Sequence, residues 1–211
     1  AVDGKLSDKQ VQGLTTLYEE LAEKYPKASA VERLPLYFVS GKTFESRMDT
    51  YMKRYLRKGI PSLFRDIRSL YTDAAKVTTI TKLMTNYLKN LKDKLRLEAS
   101  GEANSESPAT LVWVIYFMGQ HHDFLSQPAE ALVFVEEGLQ HTPTNIELYV
   151  LKARILKHAG DLQSAYAWME EARSMDTADR YLNVKCTRYA MRAGHVEKAQ
   201  ETVALFLREG N

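Results

Sequence analysis

The chain has 211 residues, 45% hydrophobic and 27% charged, a balance that excludes a disordered or collagen-like polymer and leaves enough apolar surface for a core. Six prolines and ten glycines are too few for a loop-rich all-β protein, so helices are expected. The net charge of +2 divides unevenly: residues 1–98 carry 19 Lys and Arg against 12 Asp and Glu, or +7, and residues 99–211 carry 10 against 15, or −5.

A single cysteine, Cys186, excludes an intrachain disulfide and makes an oxidising compartment unnecessary. No run approaches the roughly 20 apolar residues of a membrane-spanning helix, and AVDGKLSDKQ has no signal-peptide pattern. A cytoplasmic setting without membrane contact is expected. The missing initial Met, and an end at LFLREGN within a helical pattern, suggest a piece of a longer protein.

Residues 1–98 read as four or five helices without a clean period, a degenerate repeat-like stretch. In KTFESRMDTYMKRYLRKG, Phe44, Met48, Tyr51 and Tyr55 fall at helical spacing and Gly59 suits a C-cap. Pro61 suits the first turn of a further helix, SLFRDIRSLY, and Lys76 to Leu97 is long enough for one extended helix. Residues 99–108, ASGEANSESP, are small and polar and read as a surface loop or disordered insertion.

From residue 109 the pattern repeats. Ala131, Ala165 and Ala199 are 34 apart, as are Gly160 and Gly194; Gly119 aligns with Ala153 and Gly138 with Ala172. Small residues at fixed phases let helix axes approach closely, the tetratricopeptide pattern of two antiparallel helices per unit. Three units are expected, about 112–145, 146–179 and 180–211, with turns at Ser126 to Pro128, Gly160-Asp161 and Gly194-His195. The fold class is therefore all-α, an α-solenoid. Trp113, Trp168, Met118, Met169, Phe134 and Phe206 then belong to inter-helix packing, and a solenoid cut at both ends is expected to self-associate.

Signatures of catalysis are missing. There is no Walker A, G-x-S-x-G or H-E-x-x-H pattern, and Gln10 to Thr15 matches an acetyl-CoA phosphate loop only in part. His121-His122 point about 100° apart on a helix with no further ligand at metal spacing, and Cys186 falls at a packing phase. No intrinsic cofactor, metal or catalytic residue is expected.

Two basic sets remain. On the first helix of the second unit Arg154 and Lys157 share a face, and on the first helix of the third Lys185 and Arg188 do the same. Four cations so placed in one groove call for a polyanion: a multiply phosphorylated ligand, an acidic partner segment or a nucleic-acid backbone. The plainer reading is a solvated face balanced by Glu147 and Asp179. The second set, Lys53, Arg54, Arg57 and Lys58, with Arg65 and Arg68 beyond Gly59-Pro61, is a candidate ribosome or RNA patch by its charge, or else a solvated helix end.

The runs SPATLVWVIYFMGQHHDFLSQPAEALVFVEEGLQHTP and IELYVLKARILKHAGDLQSAYAWMEEARSMDTADRYLNVKC resemble the auxiliary subunit of the N-terminal acetyltransferase A (NatA) complex, through Lys157 to Gly160, Trp168 to Ala172, Asp176 to Arg180, and Asn183 with Lys185. RLPLYFVSGKTF and RSLYTD are also similar to that family. The resemblance implies a non-catalytic helical scaffold that wraps a separate acetyltransferase subunit, shapes its pocket for co-translational acetylation and anchors it at the ribosome. It also implies inositol hexakisphosphate at the subunit interface, held by Arg154, Lys157 and Lys185; Arg188 is added by the helical register alone. The loop at 99–108 is not an element of that family. A rival reading, a tetratricopeptide adaptor clamping an acidic peptide, fits poorly, because Tyr116, Gln120 and Leu151 stand where such a clamp uses Lys or Asn and only Lys185 matches.

Overall fold

A computed structural model describes residues 6–98 and 105–205, and among these it contains helices and no strand. The chain divides into two compact units, 1–114 and 115–211. The division falls inside a helix, past the polar segment at 99–108.

The first unit holds more and shorter elements than the period-free sequence suggests. Helix α1 (Asp8–Lys24) begins with a reciprocal cap between Ser7 and Gln10. The short α2 (Ser29–Arg33) and α3 (Pro35–Phe38) lead into α4 (Gly41–Arg57), which buries Phe44, Met48, Tyr51, Met52 and Leu56 as its spacing predicts. Tyr55 is half-buried and packs its ring 4.4 Å from that of Tyr51. Gly59 ends the helix in the left-handed region at φ +62°.

SLFRDIRSLY is not one helix. It splits into α5 (Leu63–Ile67), which buries Leu63, Phe64 and Ile67, and a 3-10 turn (Arg68–Thr72), which buries Leu70. Helix α6 (Ala74–Lys94) is capped by the Asp73 carboxylate and stops at Leu95, which turns left-handed and returns Leu97 to the core. The Lys76 amine, buried beneath α6, donates to the carbonyls of Leu36 (2.8 Å) and Tyr37 (2.9 Å) at the end of α3.

Three helix pairs follow, beginning with α7 (Pro108–Phe124) and α8 (Pro128–His141). Next come α9 (Ile146–His158) with α10 (Leu162–Met175), and α11 (Arg180–Arg192) with α12 (Val196–Ala204). Each second helix starts 34 residues after its predecessor, at 128, 162 and 196. Ala131, Ala165 and Ala199 are all buried, as are Gly119, Ala153, Gly138 and Ala172. A Cβ on Gly119 would stand 2.9 Å from Leu151 of α9, and one on Gly138 2.9 Å from Leu148, so the helices approach where side chains are absent.

The three turns share one closure. Gln127, Asp161 and His195 each donate a backbone N–H to the carbonyl five residues back, and the residue before each is left-handed. Gly160 and Gly194 supply that conformation in two units; in the first, Ser126 adopts it at φ +60°. Met118 and Met169 are fully buried and Trp113, Trp168 and Phe134 half-buried, while Phe206 lies outside the described residues.

Candidate functional site: a basic, tyrosine-lined helix face

Helix α9 contributes Arg154 and Lys157 and helix α11 contributes Lys185 to one field. Burial lowers the Lys157 amine below the ordinary lysine range, the cations of Arg192 and Arg154 lower it further, Asp123 opposes them, and Lys185 adds a smaller push. Among the described residues no carboxylate lies within ion-pair distance of Lys157, Lys185 or Arg192. The amine of Lys157 instead sits 5.9 Å from the Tyr189 ring centre, and that of Lys185 4.5 Å from the Tyr181 ring.

Tyrosines line the same field. Burial raises Tyr189 while Arg154 and Arg192 pull it back, and Tyr116 of α7 is pushed up to about 12 by burial against the pull of Arg154. The counter-ion is Asp123, at the end of α7, whose side chain is 6% exposed. It accepts from His158 Nδ1 at 2.8 Å and lies 3.4 Å from Arg154 Nε, which is buried with no hydrogen-bond partner. A carboxylate only accepts, so His158 carries its proton on Nδ1.

The structure thus places Arg154, Lys157 and Lys185 in one field and adds Arg192, Asp123 and the tyrosines, which the pairing of residues three apart does not reach. Arg188 is exposed on α11 and is not among the charges acting on Lys157. Helical phase gives the reason: at 100° per residue, position 192 lies about 20° from position 185 and position 188 about 60° away. The charge of Glu147 is felt at Tyr116, and among the described residues neither Glu147 nor Asp179 forms an ion pair with these cations. The Asp179 carboxylate is spent on capping α11 through the N–H groups of Tyr181 (2.6 Å) and Leu182 (3.2 Å).

Three cations of the second basic set are paired with carboxylates. Lys53 pairs with Asp49 at 2.8 Å and Glu98 at 3.5 Å, Arg54 with Glu32, and Arg57 with Glu98 at 2.9 Å and Glu106 at 2.7 Å. Lys58 is exposed, as are Arg65 and Arg68. Glu106 belongs to the polar segment, so the close of that segment is tied to α4 by an ion pair; residues 99–104 lie outside the described residues.

The remaining singled-out groups have structural roles. His121 is 1% exposed and is pushed down to about 4 by burial and then by His122, whose ring stacks on Phe134. The buried Cys186 thiol donates to Glu170 at 2.9 Å and is pushed up to about 12, first by burial and then by that bond. Gln120 and Leu151 are buried and cannot line an acidic-peptide clamp.

A profile of the family described as "N-terminal acetyltransferase A, auxiliary subunit" matches residues 2–211. The chain belongs to this family. Among its relatives, the mouse N-alpha-acetyltransferase 16, NatA auxiliary subunit, is 44% identical over 194 residues, covering 92% of this chain and 22% of the mouse protein. The auxiliary subunit NAA15 of the Arabidopsis thaliana NatA complex is 40% identical over 210 residues, 99% of this chain and 23% of that protein. A solved chain from the structure of Naa15/Naa10 bound to HypK-THB superposes with a TM-score of 0.85 at 33% identity, covering 98% of this chain and 30% of that one. The chain therefore spans about a fifth of the length of the curated relatives it matches. Family membership fits the all-α solenoid and a sequence without the catalytic motifs named above.

Proposed function

We propose that this chain is a segment of a NatA auxiliary scaffold, itself non-catalytic, that helps hold a catalytic N-acetyltransferase subunit in the cytoplasm. On this reading the α9–α11 face takes inositol hexakisphosphate as a structural ligand between the two subunits. One observation carries the reading: the charges of Arg192, Arg154 and Lys185 all act on Lys157, and the carboxylate of Asp123 opposes them. Like charges held this close repel, so an anion that bridges them stabilises the face, and bidentate guanidinium–phosphate contacts suit Arg154 and Arg192. Tyrosine hydroxyls add neutral donors around the same anion.

The test is assembly. The chain and the catalytic subunit are run together by size exclusion with and without inositol hexakisphosphate, beside Lys157→Glu and Lys185→Glu. Co-elution that the polyanion strengthens and both variants weaken supports the proposal. Co-elution indifferent to the polyanion and to both variants refutes the ligand role. A ribosome or RNA contact through Lys53, Arg54, Arg57 and Lys58 is the weaker reading, since three of the four already hold carboxylates.

A further inference from the structure

We propose that Ser107 is a phosphorylation site for a proline-directed protein kinase, and that the phosphate it receives caps α7. The sequence contains two Ser/Thr-Pro dipeptides, Ser107-Pro108 and Thr142-Pro143. Kinases of this class accept proline after the acceptor because the proline ring brings no N–H to be left unpaired in their cleft. The two dipeptides differ in what surrounds the hydroxyl.

Thr142 is half-buried at the end of α8, and its hydroxyl shares a 2.8 Å hydrogen bond with His141 Nδ1. Ser107 is exposed in the irregular stretch 105–107 that precedes α7. Its Oγ accepts a long 3.3 Å bond from the Ala109 N–H, and among the described residues its own proton is donated to no protein group. Exposure, irregular backbone and an unspent hydroxyl proton are what a kinase needs of its acceptor.

In the transfer the Ser107 Oγ attacks the γ-phosphorus of ATP. The new Oγ–P bond forms as the P–O bond to ADP breaks, ADP leaves, and the hydroxyl proton passes to the kinase's own base.

The product position suits a dianion. Ser107 occupies the N-cap of α7: its carbonyl accepts the Thr110 N–H at 2.8 Å and Pro108 fills the first helical position. A phosphate here faces the Ala109 N–H and the positive end of a 17-residue helix. The adjacent acid, Glu106, is already held by Arg57 at 2.7 Å, which blunts its repulsion. The neutral serine cap becomes one of about −2 charge, at the head of α7.

The test treats the folded 211-residue chain with ATP and a purified cyclin-dependent or mitogen-activated kinase, locates phosphate by tandem mass spectrometry, and compares melting temperatures. Phosphate is expected on Ser107, absent in Ser107→Ala and unchanged in Thr142→Ala, with the phosphorylated chain melting higher than the unmodified one. Circular dichroism checks that Ser107→Ala keeps its helices. Phosphate confined to Thr142, or incorporated only after heat unfolding, or no phosphate on Ser107 with either kinase, overturns the site. A lowered melting temperature overturns the cap.

Discussion

Gly59 combines two constraints that can be separated by experiment. It holds φ +62° after α4, where an L residue costs about 1–2 kcal/mol. A Cβ there would also stand 2.5 Å from Trp113 Nε1, 3.1 Å from Cε2 and 3.2 Å from Cδ1, against a flat indole that cannot fold out of the way; overpacking of this kind costs about 1–3 kcal/mol. Stiffening the unfolded chain returns about 0.4–1 kcal/mol. Gly59→Ala should therefore lose about 1–5 kcal/mol, near 3 at the middle of these ranges. Gly160 has the same kind of backbone, φ +91°, but open space around it, so Gly160→Ala should lose only about 1 kcal/mol. Urea denaturation followed by circular dichroism gives both values. Trp113 emission, read in a Trp168→Phe background, should shift in Gly59→Ala and stay fixed in Gly160→Ala. Equal losses in the two variants, or a neutral Gly59→Ala, would refute the steric half of the reasoning.

Ser126 stands where the other two units have glycine, and it carries the left-handed strain at φ +60°. Ser126→Gly should raise stability by about 1 kcal/mol in the same urea assay, despite the added flexibility of the unfolded chain. His121 gives a pH dependence of known sign: its folded value near 4 lies below the ordinary 6.5, so the unfolded chain takes the proton first. Its contribution is complete above pH 6.5 and is lost as pH falls toward 4. Proton NMR should find the His121 ring neutral at pH 5.5, and His121→Phe should flatten the fall in melting temperature across that window.

The repeats are legible in the sequence because their cause is local and periodic. Ala131, Ala165 and Ala199 recur where helices meet, and Gly160 and Gly194 recur where the backbone turns left-handed. The turn at Ser126 to Pro128 is legible too, but its left-handed residue is not, since serine announces a cap or a loop. The 3-10 turn at Arg68–Thr72 is invisible in the sequence, because residues three apart, such as Ile67 and Leu70, share a face in either kind of helix.

The two basic sets separate for a similar reason. Arg154, Lys157 and Lys185 follow from the repeat register, and extending the same reasoning from three residues to seven reaches Arg192. For Arg54 and Arg57 the decisive partners are distant in the chain: Glu32 is 22 residues from Arg54, and Glu98 and Glu106 are 41 and 49 residues from Arg57. Charge runs are visible in a sequence, but the carboxylates that cancel them are placed by tertiary folding.

The most direct test of the polyanion face is calorimetric titration of inositol hexakisphosphate into the chain assembled with its catalytic subunit, at fixed salt, for the unaltered protein, Arg192→Ala and Arg188→Ala. Loss of one charge-assisted contact is worth about 1.5–3 kcal/mol, so Arg192→Ala should weaken binding by roughly ten-fold or more while Arg188→Ala stays within about two-fold. Equal affinities for all three proteins, or a loss confined to Arg188→Ala, would contradict the arrangement of charges described above.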